Sequence, residues 1–226
     1  MIDNLATQPK CLFIYFLIAV LAYFIFLSAN RGIADVKSYT ATVIMNSWAN
    51  GKPVESQAWN EAHRALLSAL AFSPDNPDYL ASLGNLYEWR VAHKRLNAAG
   101  VIADYRKALD YYQQALAKRP AYAYYWANIA VVKSILGEVD KTFYLAVDRS
   151  LALGPWEPGV QLKIADATLR VWYLLDDHGW EKMRENIERG LESNAATIME
   201  KAKQVQVINK LCGKLRRTET VRQFCK

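Results

Sequence analysis

Small residues at helical spacing, each run closed by a proline, constrain this chain more than any other feature. Ala62, Leu66, Ala69 and Pro74 are followed by Leu80, Leu83, Gly84 and Tyr87. Ala62, Ala69 and Gly84 let two antiparallel helices approach closely, and Leu66, Leu80 and Leu83 fill the seam between them. Pro74 ends the first helix, because proline lacks the N–H that would continue the ladder. Such a pair buries its apolar face by stacking on further pairs, so the unit serves binding far more than catalysis.

The spacing returns downstream. Ala108, Tyr112, Ala115 and Pro120 repeat the closing half, and Trp126, Ile129, Ala130 and Gly137 open another. A third closing half is looser, with Leu151, Leu153, Gly154 and Pro155 preceded by Phe143, Val147 and Ser150 where small residues are expected. This order is that of tetratricopeptide (TPR) repeats, of which two are clear and one or two degenerate. Pro74 and Pro120 stand 46 residues apart (120 − 74), against about 34 in an ordinary repeat. An insertion of about a dozen residues is therefore expected between Glu88 and Asp104.

Cys11 to Leu27 is apolar or aromatic throughout, without a charge, and Ser28 and Ala29 extend it to about the length that crosses a bilayer. The run reads as an uncleaved anchor over 11–29. A cleaved secretory signal is the competing reading, since Gly32-Ile33-Ala34 resembles a small-residue cleavage site. Signal cores are shorter, about 7 to 15 residues, and this one is crowded with Phe13, Tyr15, Phe16, Tyr23, Phe24 and Phe26. Flanking charge barely orients it, with Lys10 against Asp3 before the run and Arg31 and Lys37 against Asp35 after it. The short lead of residues 1–10 fits a signal-anchor that keeps the amino end in the cytoplasm and exports the rest.

Cys212 and Cys225 are the two cysteines outside the apolar run. In an exported domain they can close a small loop that pins the last helix to the one before it; two unrelated buried thiols are the alternative. His63, His93 and His178 are scattered and no Cys-x-x-Cys occurs, which argues against a metal site. Charge is uneven beneath the net +6. Residues 201–226 hold eight basic side chains against Glu219 alone, while residues 28–200 hold nineteen basic and twenty acidic. That basic end suits anionic headgroups, an acidic glycan or an acidic protein surface, or is simply a solvated face. No nucleic-acid role is expected of an exported domain.

The fold class expected is all-α: an N-terminal transmembrane helix followed by a TPR-like antiparallel helical-hairpin solenoid. The domains are a cytoplasmic lead (1–10), an anchor (11–29), a TPR-like helical domain (30–200) and a basic helical cap (201–226). Periodicity predicts helices near 34–49, 55–72, 77–96, 101–118, 122–136, 139–153, 158–175, 179–193, 195–212 and 218–224.

Catalytic signatures are missing from the sequence. It has no Gly-rich phosphate loop, no His-Glu-x-x-His and no Gly-x-Ser-x-Gly elbow. Asp176-Asp177-His178 offers acid–base groups, but its place before Gly179-Trp180 reads as a helix cap. The expectation is therefore a protein that is not an enzyme and takes no cofactor. In a TPR stack the first helix of each pair lines the concave face, which nominates Asp78, Asn85, Glu88 and Trp89, then Tyr124, Asn128 and Val131, with Arg90 and His93 extending the first helix. Aromatics beside amides suit a sugar ring or a peptide; packing against the insertion is the plainer role for Trp89, Tyr124 and Tyr125.

The order of membrane segment, Ala34-Asp35-Val36, Gly51-Lys52-Pro53, Pro74-Asp75-Asn76-Pro77-Asp78-Tyr79, Leu86-Tyr87-Glu88-Trp89-Arg90 and Leu153-Gly154-Pro155-Trp156-Glu157-Pro158 resembles the VpsP-type proteins of bacterial polysaccharide biosynthesis over nearly the whole chain. The Leu-Gly-Pro stretch also resembles TPR-like periplasmic tails of some O-antigen polymerases and ligases. The resemblance implies a single-pass bacterial inner-membrane protein whose periplasmic helices support polymerisation or export. It implies a scaffold whose partner is a membrane-embedded polymerase, ligase or export component, or the glycan itself, and it supplies no catalytic residue. An envelope assembly factor or chaperone gripping peptide segments is the alternative expectation.

Overall fold

Helix α1 (Pro9–Ala49) joins what the sequence separates. In the computed structural model, which describes residues 9–93 and 98–225 and the side chains of 12–92 and 98–225, the apolar run and the helix predicted near 34–49 form one unbroken helix of 41 residues. Proline tolerates the first turn, where its missing N–H has no partner to lose, and Arg31 and Gly32 do not interrupt the ladder. Leu12 through Phe26 find no cover in the protein. Residues 1–8, and with them most of the lead assigned to the cytoplasm, lie outside the described residues.

All described residues in regular structure are helical, with no strand among them. They divide into two units, residues 1–79 and 80–226. In the first, the distal half of α1 packs on α2 (Ser56–Phe72) as an antiparallel pair. Ala34, Ala41 and Trp48 on α1, and Trp59, Ala62, Leu66 and Ala69 on α2, are buried at helical spacing. Gly51, at φ +90°, closes α1: the Lys52 N–H reaches the Ser47 carbonyl and the Gly51 N–H the Trp48 carbonyl, a reversal that favours glycine. Two contacts fasten the end of the pair nearest the apolar run. The Lys37 ammonium stands 5.3 Å from the Phe72 ring centre, and the Tyr79 hydroxyl donates to Asp35 Oδ1. Burial, then the bond to Asp35 and its charge, push the Tyr79 phenol up to about 12.

The second unit starts in the first turn of α3 (Pro77–His93) and continues through α4 (Ala98–Lys118), α5 (Ala123–Ile135), α6 (Lys141–Leu153), α7 (Pro158–Arg170) and α8 (Asp177–Gln204) to the short α9 (Ile208–Cys212) and α10 (Glu219–Phe224). Successive helices pack in sequence, α4 on α5, α5 on α6 and α7, and α7 on α8. Gly84 explains how closely α3 and α4 meet. A Cβ there would stand 2.7 Å from the Tyr112 ring, so the helices share one side chain's thickness at that point. Phe143, Ile164, Leu169, Met183 and Ile187 are fully buried in the common core.

Capping sets several boundaries. Asp140 accepts from the Phe143 N–H at 3.0 Å and starts α6, and Asp176 accepts from the Gly179 N–H at 2.8 Å and starts α8, each occupying the N-cap expected of aspartate. Asp176 is thus the cap that the sequence suggested, while His178 Nε2 faces Asp148 Oδ1 at 3.0 Å.

Two expectations need correction. The helix expected over 158–175 stops at Arg170 and gives way to a 3-10 turn, Trp172–Leu174. The helix expected over 195–212 ends at Gln204 and resumes at Ile208, because Gln206 adopts φ +57° and lets the Val207 N–H bond back to the Ala202 carbonyl. The stretch between Glu88 and Asp104, where an insertion is expected, is taken up by α3, which runs to His93, and by α4, which starts at Ala98, with 94–97 outside the described residues. The break expected between 193 and 195 is present as a kink inside α8, at Asn194 (φ −135°, ψ 23°).

Candidate functional site

First helices of successive pairs carry residues three apart at matching heights: Asn85 and Glu88 on α3, Asn128 and Val131 on α5, Lys163 and Asp166 on α7. Of these, Glu88, Val131, Lys163 and Asp166 line a single cleft of about 290 Å3 together with α8 residues that include Ile198 and Lys201. Val131, Leu162, Ala165 and Ile198 give its lining an apolar part, and Glu88, Asp166, Lys163 and Lys201 add two carboxylates and two ammonium groups.

The charged groups of the lining are already arranged. Lys201 Nζ lies 2.6 Å from Asp166 Oδ1, and Arg170 reaches the same carboxylate at 3.2 Å. Glu88 accepts a hydrogen bond from the buried Tyr112 hydroxyl. Desolvation raises the Glu88 carboxyl above its ordinary value; the nearby Lys163 charge and the Tyr112 bond pull it down, and Asp166 pushes it up again. Tyr112 is raised well above an ordinary phenol, first by burial and then by the charge of Glu88. A carboxyl raised on folding binds its proton more tightly in the native than in the unfolded chain, so stability falls as pH rises through the interval between the two values. Glu88→Gln removes that term while keeping an acceptor for Tyr112. Thermal melts of the full chain in detergent, at pH 4.5 and pH 7.5, are expected to show wild type losing more stability than the glutamine variant on going to the higher pH. Equal losses would mean that Glu88 titrates like a solvated carboxylate.

The nominated residues divide by environment. Glu88 and Val131 open on the cleft. Asn128 is half-buried and its Oδ1 is enclosed without a hydrogen-bond partner among the described residues. Asn85 is exposed on α3, and Asp78 is exposed in the first turn of that helix, where its N–H donates to Asn76 Oδ1 at 2.9 Å. Trp89 is half-buried. Arg90 serves the packing of α3 on α4: its guanidinium makes two hydrogen bonds to the Asp104 carboxylate and lies 4.7 Å from the Tyr87 ring centre. Tyr124 lies across α7, where its hydroxyl would stand 2.6 Å from a Cβ placed on Gly159. The His93 side chain is outside the described residues. Cys212 and Cys225 are joined in a disulfide, with Cα atoms 5.6 Å apart.

Sequence reasoning missed Lys163, Asp166 and Lys201. Counting one pair further with the same register would have found the first two, since 163 and 166 follow 128 and 131 by 35 residues (163 − 128). Lys201 gave no such signal, because it comes from beyond the kink at Asn194 in α8. No group of three or more metal-ligating side chains gathers among the described residues. No protein-family profile matches the chain, and no curated protein is significantly similar to it.

Proposed function

We propose that this protein is a membrane-anchored scaffold that binds rather than catalyses, holding a polymerase, ligase or export component of a bacterial exopolysaccharide or O-antigen-type pathway, or the growing glycan, beside the inner membrane. One observation carries the reading: α1 is long and apolar enough to span a membrane and continues without a break into the first helix pair. Cys212 and Cys225 support placement of the helical domain outside the cytoplasm, where disulfides persist. The cleft suits binding, since its apolar lining residues can receive a ring or side chain while its charged groups orient it. Tethering makes such a contact intramolecular in effect, so a weak surface suffices.

The test replaces the chromosomal copy with wild type or with a Glu88→Lys/Asp166→Lys double variant. Removing the gene is expected to reduce polymer yield or chain length, with wild type restoring it and the charge-reversed variant, present at equal level, failing to do so. Unchanged polymer in the deleted strain would reject the polysaccharide reading. Loss of an assembled envelope protein complex in the same strain would favour the chaperone alternative.

A further inference from the structure

Two lysines near the carboxyl end rest on tryptophan rings instead of on carboxylates. Val207, Leu211 and Leu215 are buried at steps of four residues, the inner face of the segment that carries α9, and Lys210 and Lys214 are exposed, each one residue before a buried leucine. Lys210 Nζ lies 4.9 Å from the Trp172 ring centre and 4.7 Å from that of Trp180, and Lys214 Nζ lies 5.3 Å from the Trp180 ring centre. The two ammonium groups are therefore at most 10.0 Å apart (4.7 + 5.3). Neither is paired with a carboxylate among the described residues. Glu181 stands close by, but its carboxyl is lowered first by the hydrogen bond from Arg184, at 3.1 Å, and last by the charge of Lys214.

The lysines have a fixed mount. Cys212 lies midway between them in sequence and is joined to Cys225, which ties their segment to α10. Arg216, two residues further on, donates from its backbone N–H to Glu188 Oε1 at 2.9 Å and from Nε to Oε2 at 2.8 Å, which fastens the same segment to α8. A cation over an aromatic face keeps its full charge, because the ring offers a quadrupole and no counter-charge. Two positive charges are thus held close together and left without a counter-ion. Beside them is Tyr173, 67% exposed, its ring edge-on to Trp172 at 6.1 Å.

The geometry points to a second binding site, sharing no residue with the Glu88 cleft, in which Lys210 and Lys214 take carboxylates of an acidic polysaccharide and Tyr173 takes the apolar face of a sugar ring. Its place rests on the structure, and its choice of a glycan rests on the reading of the protein as part of polysaccharide assembly. A uronate carries an anion and a flat C–H face in one unit, which is what ammonium groups beside an exposed ring select. An acidic peptide supplies the charge without the flat face. A bilayer calls for aromatic rings that project into it, whereas Trp172 and Trp180 are half-buried.

Calorimetric titration of the full chain, disulfide intact, in nanodiscs of neutral lipid tests the site. The probes are polygalacturonate, dextran, polyglutamate and vesicles of phosphatidylglycerol. Polygalacturonate is expected to bind at least about tenfold more tightly than the other three, and Lys210→Gln/Lys214→Gln to weaken it by about tenfold. Tyr173→Ala should weaken it as well. Lys203→Gln/Arg222→Gln removes the same charge from the same end of the chain and should leave the affinity within about twofold. All these side chains are exposed, so helical circular dichroism should match wild type in every variant. Equal weakening by the two double variants would reduce the effect to net charge and overturn the proposal. Tighter binding of dextran, polyglutamate or vesicles, or no binding of polygalacturonate, would overturn it too. Those results bear on this site alone, whereas unchanged polymer in the deleted strain rejects the polysaccharide reading itself.

Discussion

Arginine at both Leu17 and Leu21 is expected to move this protein out of the membrane fraction. Between Cys11 and Ala29 the sequence holds twelve Leu, Ile, Phe or Val residues, each favouring insertion by about 0.3–0.6 kcal/mol near a helix centre, or about 4–7 kcal/mol together. Two central arginines cost about 2.5–3.5 kcal/mol each and forfeit two leucine contributions, a swing of about 6–8 kcal/mol that cancels the whole gain. Both positions face away from any protein cover, so no neighbouring helix is present to pair with the introduced charge. Carbonate extraction provides the measurement: wild type should stay with the pellet, whereas the double variant should be soluble or degraded. A variant that still resists carbonate would mean that residues outside α1 hold the protein to the membrane.

Phe143→Ala should produce the largest loss of folding stability available from one substitution. The ring is fully buried on α6 within the core shared by α4 to α8, edge-on to Tyr144 at 5.6 Å. Removing it deletes apolar burial and leaves a cavity that a helical core relaxes only partly to fill, at a cost of about 3–5 kcal/mol. For a chain of this size that corresponds to a fall in Tm of about 6–20 °C. Leu145→Ala, two residues away but 46% exposed, is the control and should change stability by less than about 0.5 kcal/mol. Thermal denaturation followed at 222 nm separates them, and similar midpoints would contradict the position of Phe143 at the centre of the core.

The helices were legible because their ends were written in residues that act locally. Gly51 and Gly137 sit at φ +90° and +72°, and in each the reversal passes through a glycine that any reading of the sequence would mark. Gln206 makes the same kind of turn with a side chain that carries no such signal, which is why the end of α8 was missed. The unbroken α1 was hidden for the opposite reason. At Arg31 the composition changes from an uncharged apolar run to a stretch that carries charges, and the backbone need not register such a change. Two of the nine residues that line the candidate cleft were readable, since Glu88 and Val131 follow from the repeat register. Arg90 looked equally available on its helix, but its partner Asp104 lies beyond the insertion, and only tertiary packing brings the two together. Lys201 needed the kink at Asn194 to be placed at all.

The continuity of α1 has a mechanical consequence. A domain hung from a slack string ignores the attitude of its anchor, whereas a stiff mast delivers every lean of its foot to its top. Trp48 lies 19 residues past Ala29 (48 − 29), a lever of about 28 Å. A lean of about 20°, ordinary for a helix in a bilayer, therefore swings Trp48 and the α2 helix beside it sideways by about 10 Å.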